Sequence, residues 1–246
     1  METARTMATF DEIYERLCTI IYVLFDLKHQ VLLPYLTRTN ATVAGVLVLD
    51  GVLHFDAFPT SQGVPDGFEE TFPTAARELY EHQHMGDFIE VIGRERKDDD
   101  VAQHFYTAFA RSTATLANDW SFQPWLLLLR LPVESLTSVE DMQRMHPYLF
   151  TDHSSFLFHS HQDINLPTIY VSDTLKLRGV RQYCSYCDSL FMLTEQNMRF
   201  LTVIVETVIR TVVFLSESED EGEEEEEEEE EEEVEEKMRM DDENDD

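Results

Sequence analysis

Apolar positions recur along this chain at two spacings. Thr9-Phe-Asp-Glu12 has capping-box spacing, a hydroxyl followed three residues later by an acid. Behind it Ile13, Leu17, Ile20, Ile21, Leu24 and Phe25 fall on one helical face. They predict a helix from about Phe10 to Leu27, ended by Pro34 at the latest. Thr42–Leu49, rich in Val and Leu, reads as a strand, and Val52–Phe58 alternates apolar with polar. Asp50-Gly51 between them is a hairpin signal. Pro59 to Phe72, marked by Gly63, Pro65 and Gly67, reads as a loop.

Helical spacing returns in Pro73–Gln83 at Ala75, Ala76, Leu79 and Tyr80. Asp87–Ile92 reads as a short strand. Asp98-Asp-Asp100 places negative charge where a helix begins, and Val101, Phe105, Ala108, Phe109 and Leu116 form the buried stripe behind it. Pro124–Leu131 is a continuous apolar run, which predicts a central buried strand. Thr137 or Ser138 can cap a short helix to about Met145. Ser154–His159 and Thr168–Leu177 read as two further strands. Ser189–Leu215 is the last long helix, its face set by Met198, Leu201, Ile204, Val205, Val208, Ile209 and Val212. Elements in this order lack regular βαβ alternation. The fold class expected is therefore α+β, a mixed or antiparallel sheet with packed helices and long helices at both ends.

Apolar residues cease near Ser216, which divides the chain into a short flexible start (1–8), one domain (9–215) and an acidic tail (216–246). Charge sharpens that boundary. The net charge is −32, and residues 216–246 carry 22 acids against two bases. The 11 consecutive glutamates of Glu223–Glu233 repel one another and bury nothing, so a disordered tail is expected. The remaining 28 acids and 16 bases leave the body at −12. An acidic body as well as an acidic tail argues against direct nucleic-acid binding, which needs cations to displace counterions, and against anionic membranes. A basic protein is the expected partner. Leu17–Leu36 is interrupted by Asp26, Lys28 and His29, and Leu201–Leu215 is short and contains Glu206 and Arg210. Both read as core helices rather than membrane spans. Glu206 and Arg210 stand four apart with the acid first, the favourable order for a helix-surface ion pair.

Three cysteines, Cys18, Cys184 and Cys187, do not make a disulfide framework. With no secretory signal at the start, an intracellular protein, nuclear or cytoplasmic, is expected, and Asn40-Ala-Thr42 is an unused glycosylation sequon.

Four constellations could carry chemistry. The tail, represented by Glu223, Glu227, Glu230 and Glu233, would concentrate basic ligands around the domain. Ser216 and Ser218, followed by acids, resemble substrate sites of acid-directed kinases, and each phosphate would add about −1.5 to −2 charges. His159-Ser-His161-Gln-Asp163 puts three potential ligands on one face of a strand. It resembles the His-x-His-x-Asp-His element of metallo-β-lactamase-fold hydrolases, but Ile164 stands where the last histidine belongs and too little chain follows, so that family is not carried over. Cys184-Ser-Tyr-Cys187 has the spacing of half a zinc site without a second pair. His82, His84 and His146 read as exposed loop-edge residues, and Trp125 as core. Phosphate loops, nucleophile elbows and kinase motifs are absent from the sequence.

The resulting expectation is a non-enzymatic binding or regulatory protein that needs no cofactor and engages a basic partner through an acidic face and tail. Two alternatives stand beside it. One is a metal-dependent enzyme or zinc-stabilised regulator using His159, His161, Asp163, Cys184 and Cys187. The other is a structural subunit of a larger assembly.

Overall fold

A computed structural model describes residues 32–116, 122–133, 139–149, 151–157, 166–174, 177–179 and 190–216, without the side chains of 139, 140, 142 and 155. Helix α1 (Leu33–Thr39) leads into strand β1 (Val46–Asp50). Helices α2 (Phe68–Thr71) and α3 (Pro73–Glu81) precede β2 (Phe88–Arg94). Helix α4 (Asp99–Leu116) joins β2 to β3 (Trp125–Leu131). Helices α5 (Val139–Leu149) and α6 (Ser154–Leu157) come before β4 (Thr168–Ser172). A 3-10 turn (Leu190–Met192) introduces the last helix, α7, residues 195–216.

The four strands lie in the order β1-β4-β2-β3. β1 is parallel to β4, β2 is parallel to β3, and β2 and β4 are antiparallel. The expected α+β fold with a mixed sheet and packed helices is what the chain forms. β2-α4-β3 is a single βαβ crossover, which is why two neighbouring strands can be parallel. β2 and β4 are buried along their whole length, as interior strands covered on both faces should be.

Period-two alternation sorts each strand onto two cores. On one face Ile89, Val91, Ile169 and Val171 pack against Val101, Phe105 and Phe109 of α4 and Phe200, Val203 and Ile204 of α7. On the other, Phe88, Ile92, Leu127, Leu129, Leu131 and Tyr170 pack against Phe68 and Phe72, Leu79 of α3, and Met145, Tyr148 and Leu149 of α5. α7 packs on the core, but not by the stripe expected: Phe200, Val203, Ile204, Thr207 and Thr211 are buried, while Met198, Val205, Ile209 and Val212 are exposed. No described helix is long and apolar enough to cross a membrane. The buried Thr207 and Thr211 of α7 donate their hydroxyls to the carbonyls four residues back, so each polar side chain is satisfied within the helix. Glu206 and Arg210 form the expected pair at 2.8 Å. The helix expected over 10–27 lies outside the described residues.

Four further expectations are corrected. The Asp50-Gly51 hairpin does not form: β1 pairs with β4, some 120 residues away. Gly51, at φ 63°, turns the chain off the sheet, and the Leu53 and His54 N–H groups donate to the Asp173 carboxylate. One side chain thus replaces the ladder that Val52–Phe58 was expected to supply. Pro124–Leu131 is a strand, but it forms an edge of the sheet rather than its centre, with β2 as its one neighbour among the described strands. Ser154–Leu157 is one helical turn rather than a strand, closed by the Phe156 and Leu157 N–H groups on the His153 carbonyl. The Pro59–Phe72 loop holds the short helix α2, whose Phe68 is buried.

A buried ion pair ties the two halves of the sheet together. Asp98, immediately before α4, accepts from the Arg94 backbone N–H at 2.6 Å and from its guanidinium at 2.7 and 2.9 Å. It also accepts from the Thr168 N–H at the start of β4, at 2.8 Å. Arg94 in turn donates to the Leu166 carbonyl at 2.8 Å.

Candidate functional site

The strand pattern that builds the core also leaves a polar row on one face of the sheet. Asp50, Ser172 and Glu90 stand side by side across β1, β4 and β2, and Leu127 of β3 continues the row. The next row is Val48, Tyr170, Ile92 and Leu129. Helices cover the apolar row. Over the polar row they stand back, leaving a cavity of about 900 Å³. Its floor is Asp50, Glu90, Tyr170 and Ser172. One wall is the 51–65 loop, and the other is His146, Pro147 and Tyr148 of α5.

Loop 51–65 is held by buried polar contacts rather than by strand pairing. Asp173 anchors its start through Leu53 and His54. Gln62 bonds to Thr174, and its Oε1 accepts from Arg178 Nε at 3.1 Å. Arg178 also donates Nη1 to the His54 carbonyl at 2.8 Å and lies 4.5 Å over the Phe88 ring. Burial lowers the Arg178 pKa to about 10, with Asp173 and Glu90 opposing the shift. Gly86 leaves room for that side chain, since a Cβ there would meet Arg178 Cγ and Cδ at 2.8 Å. Gln62 and Arg178 also bridge the loop to the β4 exit through an isolated strand-like pair.

Glu90 is the unusual member of the floor. It is 91% buried, yet its carboxyl makes no hydrogen bond or ion pair among the described residues. Burial raises its pKa from 4.5 to about 7, and only the more distant Arg178 charge works the other way. Tyr170 donates to Asp50 Oδ2 at 2.9 Å. Burial, together with the charges of Asp50 and Glu90, pushes the Tyr170 hydroxyl well above its ordinary range. Tyr148 has a buried hydroxyl without a partner, raised in the same direction by burial and by Glu90. Behind Tyr170, His153 stacks at 5.1 Å, and burial lowers its pKa to about 4.

These two titrations act on stability in opposite directions. The native state keeps a proton on Glu90 that the unfolded chain releases from about pH 4.5, so the contribution of Glu90 falls as pH rises toward 7. His153 is neutral when native and charged when unfolded. Its contribution is full above 6.5 and falls as pH drops toward 4. Glu90→Gln isolates the first. The variant is expected to gain on the parent between pH 5 and 8, by an amount on the order of 3 kcal/mol. Urea midpoints across that range measure it, and parallel curves for the two proteins would show that Glu90 is solvated rather than buried.

Of the residues singled out from the sequence, Ser216 is described. It is exposed at the last position of α7 and donates Oγ to the Val213 carbonyl at 2.7 Å. His159, His161, Asp163, Cys184, Cys187, Ser218, Glu223, Glu227, Glu230 and Glu233 lie outside the described residues. Among the described residues no three His, Cys, Asp or Glu side chains are grouped to hold a metal ion. His82 is not a free loop residue: it stacks 4.1 Å from Trp125, whose Nε1 donates to Asp87 at 2.7 Å. His146 sits on α5 at the cavity wall. Sequence reading missed Glu90, Tyr148 and Arg178. For Glu90 a signal existed, an acid in the middle of the apolar run Phe88-Ile-Glu-Val-Ile92.

A second feature lies outside the cavity. Asp66, Glu69, Glu70, Glu78 and Glu81 lie on and around α2 and α3 with one base, Arg77, which pairs with Glu81 at 4.0 Å. The 56–62 loop lies against the end of α3, its Thr60 and Gln62 N–H groups bonded to Gln83 and His84. It presents exposed Phe58, and α3 presents exposed Tyr80. Several of the described arginines are engaged elsewhere. Arg130 and Arg144 pair with Asp99 and Asp141, Arg111 and Arg199 lie over Phe214 and Phe122, and Arg94 and Arg178 are buried. No family model, curated protein or solved structure matches this chain.

Proposed function

We propose that this is an intracellular, non-enzymatic binding or regulatory protein that captures a basic protein partner. The carrying observation is the charge balance of the Asp66–Glu81 surface. Its acids are mostly exposed, while Arg38, Arg77, Arg111, Arg130, Arg144, Arg199 and Arg210 are each engaged with an acid or a ring of the same chain. The exposed rings of Phe58 and of Tyr80, the latter on α3 between Glu78 and Glu81, offer faces on which cationic side chains can lie. The −20 charge of residues 216–246 would act first, raising the local concentration of a cationic partner before the folded surface engages it.

Phosphorylation of Ser216 and Ser218 would adjust this attraction. At Ser216 it would do more. A phosphate placed at the negative end of α7, beside Glu217, opposes the helix dipole and would loosen its last turn.

The test compares the full-length protein with a chain ending at residue 215, using a fluorescent lysine-rich peptide. The full-length protein is expected to bind about tenfold more tightly at low salt. The difference should shrink at about 0.15 M salt, where exposed charges are screened beyond about 8 Å. Equal affinity of the two chains would remove the tail from the function. Loss of far-ultraviolet helicity on truncation would make the tail structural.

A further inference from the structure

The polar floor of the cavity has a chemistry of its own, independent of the charged surface and the tail. Three carboxylates line it, Asp50, Glu90 and Asp173, and no described Lys or Arg does. Two of the three are already used: Asp50 accepts from Tyr170, and Asp173 from Leu53 and His54. Glu90 is not used. It is nine-tenths buried, borders the open space and has no hydrogen-bond partner among the described residues. Its carboxyl oxygens open on the cavity rather than lying sealed in the core, at a position where an ordinary core would place an apolar residue. Around it stand Phe68, Phe88, Tyr148 and Tyr170, aromatic rings suited to an apolar body and to a cation.

We propose that the cavity binds a small organic cation, a protonated amine on an apolar body, with its ammonium group donating to Glu90 and its body against the Phe68, Phe88 and Tyr148 rings. Anionic ligands are disfavoured by the three carboxylates. The nearest buried cation, Arg178, is held away by Gln62, the His54 carbonyl and the Phe88 ring. The size of the space fits a molecule well beyond a bare ion, since small-molecule sites span about 300–1,000 Å³.

The proposal implies a pH dependence. Glu90 must be ionised to receive the ammonium, so affinity is expected to rise as pH goes from 5.5 to 8 across its pKa of about 7. The groups facing it are Asp50 on β1, Tyr170 and Ser172 on β4, Tyr148 and His146 on α5, and His54 and Asp173 at the rim, with Arg178 behind Phe88. Burial lowers the pKa of His54 below 6.5, with the charges of Asp173 and Asp56 opposing the shift.

The experiment is calorimetric titration of the full-length chain with 2-phenylethylammonium and with n-butylammonium, against 2-phenylethanol as the neutral isostere. It is run at about 0.15 M salt to suppress attraction to the exposed tail. Expected are one saturable site, binding at least about tenfold weaker for 2-phenylethanol, and a loss of about tenfold or more on Glu90→Gln, in line with a charge-assisted hydrogen bond. Asp100→Asn, an exposed acid on α4 on the other face of the sheet, should leave affinity unchanged. The proposal is overturned if neither amine saturates a single site, if the alcohol binds as well as the amine, or if Glu90→Gln changes nothing. Should that variant unfold, the pH profile of the parent decides: affinity flat between pH 5.5 and 8 overturns the role of Glu90. Failure here leaves the tail-and-surface reading standing, because the peptide assay does not involve the cavity.

Discussion

Asp98→Ala is expected to lower stability by about 3–5 kcal/mol, the range for removing one partner of a buried ion pair. The carboxylate receives four hydrogen bonds, three from Arg94 and one from the Thr168 N–H. Without it, the guanidinium stays buried with its charge uncompensated, and the first N–H of β4 loses its acceptor. Removing the pair together should cost less than removing Asp98 alone, since an uncompensated charge is the larger part of the penalty. Asp98→Ala with Arg94→Met should therefore recover part of the loss. Urea unfolding of the two variants and the parent measures this. A loss below about 1 kcal/mol for Asp98→Ala would mean that Arg94 finds water or another acceptor, and that the pair contributes no more than a surface ion pair. A domain with about 5–15 kcal/mol of total stability could lose its native state to this one change.

Phe200→Ala is expected to cost a similar amount, about 3–5 kcal/mol for deleting a buried aromatic ring. Phe200 is fully buried. Its ring lies 5.6 Å from that of Phe55, which is itself 4.9 Å from Phe122. The cluster joins α7 to the segment after β1 and to the approach to β3, three parts of the chain far apart in sequence. The Phe55 N–H also donates to Asn197 Oδ1 at 2.9 Å, one turn before Phe200, so a shift of α7 would strain a buried hydrogen bond as well. Val205→Ala, on the exposed side of the same helix, should cost far less. Equal effects at the two positions would mean that α7 is not seated on the sheet as described.

Much of the secondary structure was legible because its signals are local. Ala75, Ala76 and Leu79 mark the buried side of α3, and the acids at 98–100 mark the start of α4 through charge alone. The Glu206–Arg210 pair of α7 follows from a four-residue separation, but its inner face does not follow from apolar spacing, because Thr207 and Thr211 turn inward while Val205, Ile209 and Val212 are exposed. The hairpin was misread because its signal is local too. Asp50-Gly51 is a sound turn signal, and Gly51 does turn. The competing partner, β4, lies so far along the chain that no local pattern announces it, and the Asp173 carboxylate that captures the returning backbone is equally remote. At 154–157, Phe156-Leu-Phe158 looks strand-like, but a run that short is decided by its surroundings.

The candidate site was less legible. An acid inside Phe88-Ile-Glu-Val-Ile92 can equally be a solvent-facing position on an edge strand. Only the placement of β2 between β3 and β4, with helices over both faces, turns Glu90 into a buried group. Arg178 reads as an ordinary surface base until Gly86 and Gln62 are seen to enclose it.

By itself, then, the sequence determined the α+β class, the inner face of α4, the acidity of both body and tail, and the point at which apolar residues stop, because each follows from nearest-neighbour geometry or from composition. The tertiary structure alone decided the strand order β1-β4-β2-β3, the burial of Asp98 and Glu90, and the cavity above the polar row, because these depend on which distant segments share a hydrogen-bond ladder, and that choice is made by the free energy of the whole core rather than by any one stretch of it.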